Sequence, residues 1–258
     1  MAAMMQMLLA VGGGGGGFTP LTGLTGLIGW WDASVTASLT ITGGTNVNSV
    51  ADQSGGGNTM NKVGSSNFPQ YNATGFNTSH PAIVFSGSAL AALGCASFPM
   101  GSGNSLTVFY VGTLAEFGSS GNGRFVSYSL PGVHDDFNFV GTWQFSTSSP
   151  VDTTKINFFR NSVNVNKSGL TASPAGHRII LTIDSGGGIT LYVDGVSVAT
   201  GTSGGNWNSG GSLSWGRDAF TDAAYMSMTA AELGVATGFS NATTVGQLDT
   251  YLKTKWGL

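Results

Sequence analysis

The chain is poor in cysteine and in charged side chains. Cys95 is its single cysteine, which excludes an intrachain disulfide, and its apolar neighbours over 90–96 predict a small buried core residue. Only 8% of the residues are charged, and the longest basic cluster is Lys253-Thr254-Lys255. Because binding to nucleic acid requires several phosphate contacts on one face, this composition argues against a nucleic-acid ligand.

The chain also lacks a long apolar segment. Residues 1–11 are nearly all apolar, but they fall short of the ~20 residues that span a bilayer. No lysine or arginine precedes Lys62, so the basic start of a secretory signal is missing. The sequence therefore predicts no membrane span.

Glutamate is scarce as well. Glu116 and Glu232 are the two glutamates of the chain and lie far apart, whereas glycanases that cut with paired carboxylates need them on one face. His80, His134 and His177 lie in separate segments, and no serine or cysteine occupies a nucleophile elbow. We therefore expect a non-enzymatic protein.

Glycine, in contrast, is abundant, with 42 residues beside many Ser, Thr and Asn. The clearest pattern lies in 179–199, where two runs of alternating apolar and polar residues, 179–183 and 189–193, flank a glycine turn. Asp194-Gly195 marks a second turn before the next run. β-Branched residues in alternation with such turns predict antiparallel hairpins, and the fold class is therefore all-β.

Further segments have the strand pattern, and their spacing suits a two-sheet antiparallel sandwich. They are 27–33, 81–85, 105–112, 124–128, 156–160 and 212–216, with one more strand expected around Trp143. Within the first segment, Trp30 and Trp31 must face opposite sides of a sheet. One of them is therefore expected at the rim or against a partner.

The last segment changes its period. Apolar residues recur at three- and four-residue intervals from Val245 to Trp256, which predicts one short amphipathic helix packed on the sandwich. Thr244 followed by Gln247 has the spacing of a capping box, and Gly257 suits the helix end.

The N-terminal region has a different character. An uninterrupted glycine run, Gly12–Gly17, follows the apolar start, and a glycine run has no side chains to pack and much backbone entropy to lose. We interpret residues 1–25 as an apolar anchor on a tether and residues 26–258 as one β-sandwich domain. The expected assembly contacts of the anchor are Met4, Met5, Met7, Leu8, Leu9 and Phe18.

Three stretches, in this order, resemble a known family: PAIVFSGS at 81–88, LYVDGVSVA at 191–199 and LKTKWGL at 252–258. They are similar to the laminin-G/concanavalin-A-like jelly-roll family, in the subgroup found in tailed-bacteriophage structural proteins. The resemblance extends from Gly26 to Leu258. It implies a jelly roll with a closing helix, and a structural or carbohydrate-binding role.

Trp207 stands in a glycine-flanked loop, 204–211. An exposed indole offers a large apolar area and a polar edge, and loops of this kind often bind ligands. Trp207, with Asn206 and Asn208, is therefore the predicted glycan-binding or subunit-contact site. Packing of the indole onto its own domain is the alternative.

Asp135 and Asp136 form the only acidic pair. Together with Asp52, Asn58 or loop carbonyls they would supply the oxygen ligands that calcium prefers. Calcium is thus the one cofactor that the sequence suggests, and a solvated turn is the alternative. Hydrogen bonds between the Asp52 side chain and the backbone of its own turn would by themselves explain an aspartate at this position.

The preferred function is a structural protein of a tailed-phage virion, either a head decoration or fibre subunit or a tail fibre subunit. It would lie at the virion surface, held to other virion proteins by its N-terminal segment, and would display the sandwich to host-surface glycans. A homo-oligomer, with a trimer favoured, would reinforce so short an anchor. A secreted bacterial carbohydrate-binding module is the alternative, and an enzyme is the third hypothesis.

Overall fold

The computed structural model describes residues 17–63, 67–87, 89–113, 123–130, 143–148, 152–160, 163–170, 176–205, 207–219 and 225–258, without the side chains of 143–148 and 152–154. Antiparallel strands and one long C-terminal helix dominate it. The predicted all-β, two-sheet sandwich with a C-terminal helix is confirmed.

In chain order the elements are α1 (Pro20–Gly23), β1 (Leu27–Asp32), a 3-10 turn (Thr36–Ser38), β2 (Leu39–Thr42), β3 (Asn46–Val50), β4 (Met60–Val63), β5 (Gln70–Phe76), β6 (His80–Phe85), β7 (Ala92–Phe98), β8 (Leu106–Gly112), β9 (Arg124–Ser129), β10 (Trp143–Ser148), β11 (Asp152–Arg160), β12 (Val163–Lys167), β13 (His177–Ile183), β14 (Gly188–Val193), β15 (Val196–Thr202), β16 (Gly211–Trp215), β17 (Met228–Ala236) and α2 (Ala242–Trp256).

The first sheet is built around β17. One edge of β17 pairs with β8, and its other edge pairs first with β6 and then with β1. From β8 the sheet continues through β13 and β14 to β15, and β5 lies beyond β6. Every one of these pairings is antiparallel.

The second sheet runs in the order β2, β3, β4, β7, β16, β9, β10, β11 and β12. The pair Asn46 and Gln70 also joins β3 to β5 of the first sheet. The main hydrophobic core lies between the two sheets. Its large members include Trp31, Phe98, Tyr110, Tyr128, Trp207 and Trp215.

α2 covers the outer face of the first sheet. Its buried residues are the four that the periodicity picked out, Val245, Leu248, Leu252 and Trp256. They pack in a second apolar cluster with Phe109 of β8 and Ile180 of β13. β8 and β13 are consequently buried along their whole length, with the main core on one side and the helix on the other.

The two ends of α2 differ in how well the sequence predicted them. Asn241, and not Thr244, is the N-cap residue, and its side chain accepts a hydrogen bond from the Thr244 amide. The predicted capping box is therefore wrong by three residues. Gly257 ends the helix as predicted, in the left-handed conformation with φ +65°, which glycine adopts at low cost.

The tandem tryptophans of β1 face opposite sides of the first sheet, as predicted. Trp31 is fully buried in the main core. Trp30 packs against the second cluster beneath α2, so the helix is the partner that covers it. No helix among the described residues is long and apolar enough to cross a membrane.

Residues Pro20–Gly23 form a short capped helical turn, α1. Thr19 caps α1, since its side chain and that of Thr22 each accept a hydrogen bond from the other residue's backbone amide. Leu24 is buried in the second cluster and Phe18 packs on that cluster. Residues 18–25 therefore pack with the sandwich, although the predicted domain begins at 26.

Candidate functional site

A row of small and mostly polar residues crosses the outer face of the second sheet. Direct cross-strand partners connect one residue from each of β4, β7, β16, β9, β10, β11 and β12. In that order they are Asn61, Gly94, Ser214, Ser127, Gln144, Phe159 and Asn164. We call this set the polar row. No charged residue occurs in it.

The middle of the polar row is covered by the segment that follows β16. The Ser127 hydroxyl donates to the carbonyl of Arg217 over 3.0 Å and accepts from the amide of Ala219 over 2.6 Å. Ser127 and Ser214 are buried as a result. Phe159 is half-buried and Asn164 is exposed, so the row is open at its β11 and β12 end.

The open end of the row contains an aromatic ring among amides. Asn157 and Phe159 of β11 are the direct partners of Asn166 and Asn164 of β12. Ile156, Phe158 and Arg160 alternate with them and are buried, because successive residues of a strand face opposite sides. Lys155 precedes Asn157 by two positions and takes the same outer face. We call Lys155, Asn157, Phe159, Asn164 and Asn166 the β11–β12 face.

Asn157 is the unusual member of this face. Its side chain is 1% exposed, yet neither its Nδ2 nor its Oδ1 has a hydrogen-bond partner. A buried amide that makes no hydrogen bond costs about 1–3 kcal/mol. Asn157 is therefore an uncompensated polar group at the centre of the face, and its amide atoms lie just below the accessible surface.

The outer side of the first sheet carries a charged cluster that fastens α2. Glu232 of β17 and Asp32 of β1 are direct cross-strand partners. Glu232 accepts hydrogen bonds from the indoles of Trp30 and Trp256, each over 2.6 Å. The ammonium of Lys255 lies 3.0 Å from Glu232 Oε2 and also contacts Asp32. The carboxylate side chains are at most 3% exposed.

The protonation of this cluster follows from its burial and its charges. Burial raises the pKa of the Glu232 carboxyl and that of the Tyr251 hydroxyl. Burial alone would lower the pKa of Lys255, but the carboxylates of Glu232 and Asp32 outweigh it and raise the pKa. The cluster thus holds α2 on the first sheet through charged side chains. Glu116, the other glutamate of the chain, lies outside the described residues.

Trp207 does not stand exposed on its loop. Its side chain is 2% exposed, its indole N–H donates to the carbonyl of Asn104 over 3.2 Å, and the guanidinium carbon of Arg160 lies 3.8 Å from the ring centroid. The expectation of an exposed indole is therefore wrong, because Arg160 and the main core enclose the ring. Asn208 accepts a hydrogen bond from the Tyr128 hydroxyl through its carbonyl. Asn206 lies outside the described residues, and glycan binding by these residues stays a prediction.

Arg160 itself is a buried cation. It is 1% exposed, and its Nη2 donates to the carbonyl of Gly205. Its Nε and Nη1 have no hydrogen-bond partner. Burial lowers the pKa of Arg160 to about 10, so the guanidinium remains charged near neutral pH.

Of the predicted calcium ligands, Asp135 and Asp136 lie outside the described residues, and Asp52 and Asn58 are neighbours in one turn. Asp52 accepts hydrogen bonds from the amides of Trp30, Ser54 and Asn58, which confirms the turn role expected for it. No group of three or more His, Cys, Asp or Glu residues that could hold a metal occurs among the residues described.

Of the predicted anchor residues, Met4, Met5, Met7, Leu8 and Leu9 lie outside the described residues. Phe18 is described, and its ring centroid lies 6.5 Å from that of Tyr251 in α2. The assignment of Phe18 to an external anchor is corrected, because the ring packs on its own domain.

Two of the three histidines have described surroundings. His177 Nδ1 lies 2.7 Å from Asp194 Oδ2, and His80 packs edge-on against the ring of Trp256. His134 lies outside the described residues. Burial alone would raise the pKa of Asp194, but its hydrogen bonds with His177 and with the amide of Arg178, together with the charges of both side chains, hold the pKa below its usual range.

Among solved structures, this chain is similar to domain 4 of AbnA, an extracellular GH43 arabinanase from Geobacillus stearothermophilus, in complex with arabinotriose. The two share 14% identity with a TM-score of 0.56 over 88% of this chain and 99% of that domain. The binding domain of botulinum neurotoxin serotype G has 13% identity and a TM-score of 0.60 over 88% of this chain and 51% of its own. A Trypanosoma rangeli sialidase has 13% identity and a TM-score of 0.54 over 89% of this chain and 33% of its own.

No protein-family model matches the chain, and no curated protein matches it either. The structural similarities lie far below the identity at which function transfers, so they concern the fold. The chain therefore has a jelly-roll sandwich fold like that of these structures, as the sequence resemblance implied.

Proposed function

We propose that this chain is a glycan-binding β-sandwich and that the β11–β12 face is its binding surface. The observation that carries the proposal is the half-buried ring of Phe159 beside the amides of Asn157, Asn164 and Asn166. An aromatic ring stacks against the apolar face of a sugar ring. Amides both donate and accept hydrogen bonds, which matches the hydroxyl groups of a sugar.

Structural neighbours support a glycan as the ligand. The arabinanase domain was solved with arabinotriose, and the binding domain of botulinum neurotoxin DC, with 12% identity and a TM-score of 0.59, was solved in complex with SialylT. Two proteins with this fold thus hold glycans. The β11–β12 face gives this chain a surface of suitable chemistry.

We propose that the chain binds glycans without cleaving them. A retaining glycosidase needs two carboxyl groups about 5 Å apart on either side of the scissile bond. Asp32 and Glu232 lie close together, but Lys255 and two indoles already occupy their oxygens beneath α2. They lie on the first sheet, away from the β11–β12 face.

The test is a glycan array probed with the full-length protein, followed by Phe159→Ala. We expect binding to a subset of glycans and at least a tenfold loss of affinity in the variant, with an unchanged melting temperature. Phe239→Ala is the matched control, since Phe239 is 46% exposed near the start of α2. No binding on the array, or equal binding by both variants and the native protein, would overturn the proposal.

The finer part of the proposal is that the domain is displayed on a tailed-phage virion, as a head decoration, head fibre or tail fibre subunit. Its support is the sequence pattern of a Met-rich apolar start followed by six glycines. Deletion of residues 1–17 should abolish incorporation into particles and leave glycan binding intact. Unchanged incorporation would favour the alternative, a secreted bacterial carbohydrate-binding module.

We also propose that the full-length protein forms a homotrimer, because a short apolar anchor gains strength from repetition around a symmetry axis. Sedimentation of the full-length protein at micromolar concentration should give three times the mass of the chain. A monomer under these conditions would contradict this part of the proposal.

A further inference from the structure

The outer side of β11 carries three different chemical groups in a line. Lys155, Asn157 and Phe159 occupy alternate positions, so an ammonium, an amide and an aromatic ring follow one another along the strand. Two residues advance about 7 Å along a strand, and the line is therefore roughly 14 Å long. This is the reach of a short oligosaccharide rather than of a single small ion.

Lys155 has no carboxylate partner in the described part of the chain. It is half-buried, and no described acidic side chain forms an ion pair with its ammonium. Lys255, by comparison, has two carboxylate partners. An ammonium without a carboxylate partner in the described chain can attract an anion from another molecule, and it does so most strongly where little water or salt screens the charge.

Asn157 lies between the two ends of this line and has both amide atoms unpaired. A ligand that spans from Lys155 to Phe159 must pass over this amide, whose donor and acceptor become available to it once the side chain turns outward. The same ligand must present a negative charge at one end and a ring with an apolar face at the other. A carboxylate-bearing sugar linked to a further sugar meets these requirements.

We propose that the β11–β12 face selects acidic oligosaccharides, with a sugar carboxylate at Lys155, hydroxyl or amide groups at Asn157 and a sugar ring against Phe159. This inference rests on the proposed glycan-binding function. It adds the ligand class, since the amides and the ring alone would accept a neutral glycan equally well. It also orients the ligand along β11, with the carboxylate end at Lys155 and a sugar ring at Phe159.

Two matched ligand pairs test the selection by calorimetry on the full-length protein: trigalacturonate with its methyl ester, and 3′-sialyllactose with lactose. We expect the acidic member of at least one pair to bind five- to tenfold more tightly at low salt. The difference should shrink as the salt concentration rises, because salt screens the ion pair.

Lys155→Met is the critical variant, since it removes the charge and keeps a long apolar side chain. It should abolish the preference for the acidic member, so that both members of a pair bind the variant with about the same affinity. Lys253→Met is the charge-matched control, because Lys253 is exposed on α2. Far-ultraviolet circular dichroism and melting temperatures would confirm that both variants fold.

The two proposals fail in different ways. Equal binding of both members of each pair, or a preference that survives in Lys155→Met, would overturn acidic selection and leave glycan binding standing. Absence of binding to these four ligands and to every glycan of the array would overturn both proposals.

Discussion

Lys255 of α2 forms an ion pair with Glu232 of β17, with 3.0 Å between its ammonium and Oε2 of the fully buried carboxylate. Asp32 shares the ammonium, and two indoles donate to Glu232. The pair joins the last turn of the C-terminal helix to the centre of the first sheet. The docking of α2 therefore depends on charge as well as on apolar packing.

Removing the ammonium should destabilise the fold strongly. Lys255→Met leaves two carboxylates buried without a cation, and breaking a buried pair in this way costs about 3–5 kcal/mol. Urea unfolding would measure the loss. Adding Glu232→Gln should recover part of it, since the residues act as one network. Lys253→Met should change stability by less than about 0.5 kcal/mol, and an equal loss in that variant would contradict the role of the cluster.

The Asp194 carboxylate should contribute to stability at neutral pH and lose that contribution in acid. Its pKa is held below the usual range in the folded state by His177 and Arg178. A lowered folded pKa means that the contribution is present above the ordinary Asp pKa of about 3.9 and lost as the pH falls through the lower folded value. The loss should be at most about 1 kcal/mol, because the Asp194 side chain is 40% exposed.

Asp194→Asn is the variant that checks this effect. Asparagine tolerates the left-handed backbone that Asp194 adopts, with φ +52°, so the turn itself should persist. Melting temperatures between pH 2 and pH 7, about the range over which carboxylates titrate, should show the variant less stable than the native protein at neutral pH and equal to it in strong acid. A constant difference at every pH would contradict the assignment.

Replacing Arg160 with methionine should leave the stability nearly unchanged or raise it. The guanidinium is buried with two unpaired nitrogens, and apolar replacement of buried charges is often neutral or stabilising by about 1–4 kcal/mol. Arg160→Ala should instead destabilise by about 2–4 kcal/mol, since it opens a cavity beside Trp207. The free energies of unfolding of both variants, measured by chemical denaturation, separate the effect of the charge from that of side-chain volume. Equal losses of stability would show that the hydrogen bond to Gly205 dominates.

Gly257→Ala should destabilise the end of α2 by about 1 kcal/mol, because the residue has φ +65° and any side chain is strained there. An added Cβ would also lie 3.2 Å from Asn77 Nδ2 and from His80 Nε2. Gly246→Ala is the control, since its Cβ would meet nothing within 4 Å and alanine favours helix interiors. A thermal melt should show the first variant less stable and the second at least as stable as the native protein.

Strands with a strong local signal were predicted well, and those that depend on distant partners were not. β8, β13 and β14 combine β-branched and aromatic residues, and the sequence places them nearly to the residue. β17 was missed, although it is the central strand of the first sheet. Its alanines carry no strand signal, and the partners of the buried Glu232 in its middle lie on other elements, with Trp30 on β1 and Lys255 and Trp256 on α2.

The candidate site shows the same limit. The strand pattern of 156–160 was recognised, but two adjacent phenylalanines conceal which of them faces outward. The pairing of β11 with β10 and β12 decides that Phe159 lies on the polar side. The prediction for Trp207 was wrong for a related reason. The glycines around it suggested an exposed indole, whereas Arg160 and the core residues that enclose the ring belong to other parts of the chain.

The position of Phe18 beside Tyr251 fixes where the chain enters the domain. Entry occurs on the helix side, whereas the β11–β12 face lies on the far side of both sheets, about 20 Å away if a helix layer and a sheet spacing are each about 10 Å thick. A ligand on β11 would therefore approach the domain from the side opposite Phe18 and α2.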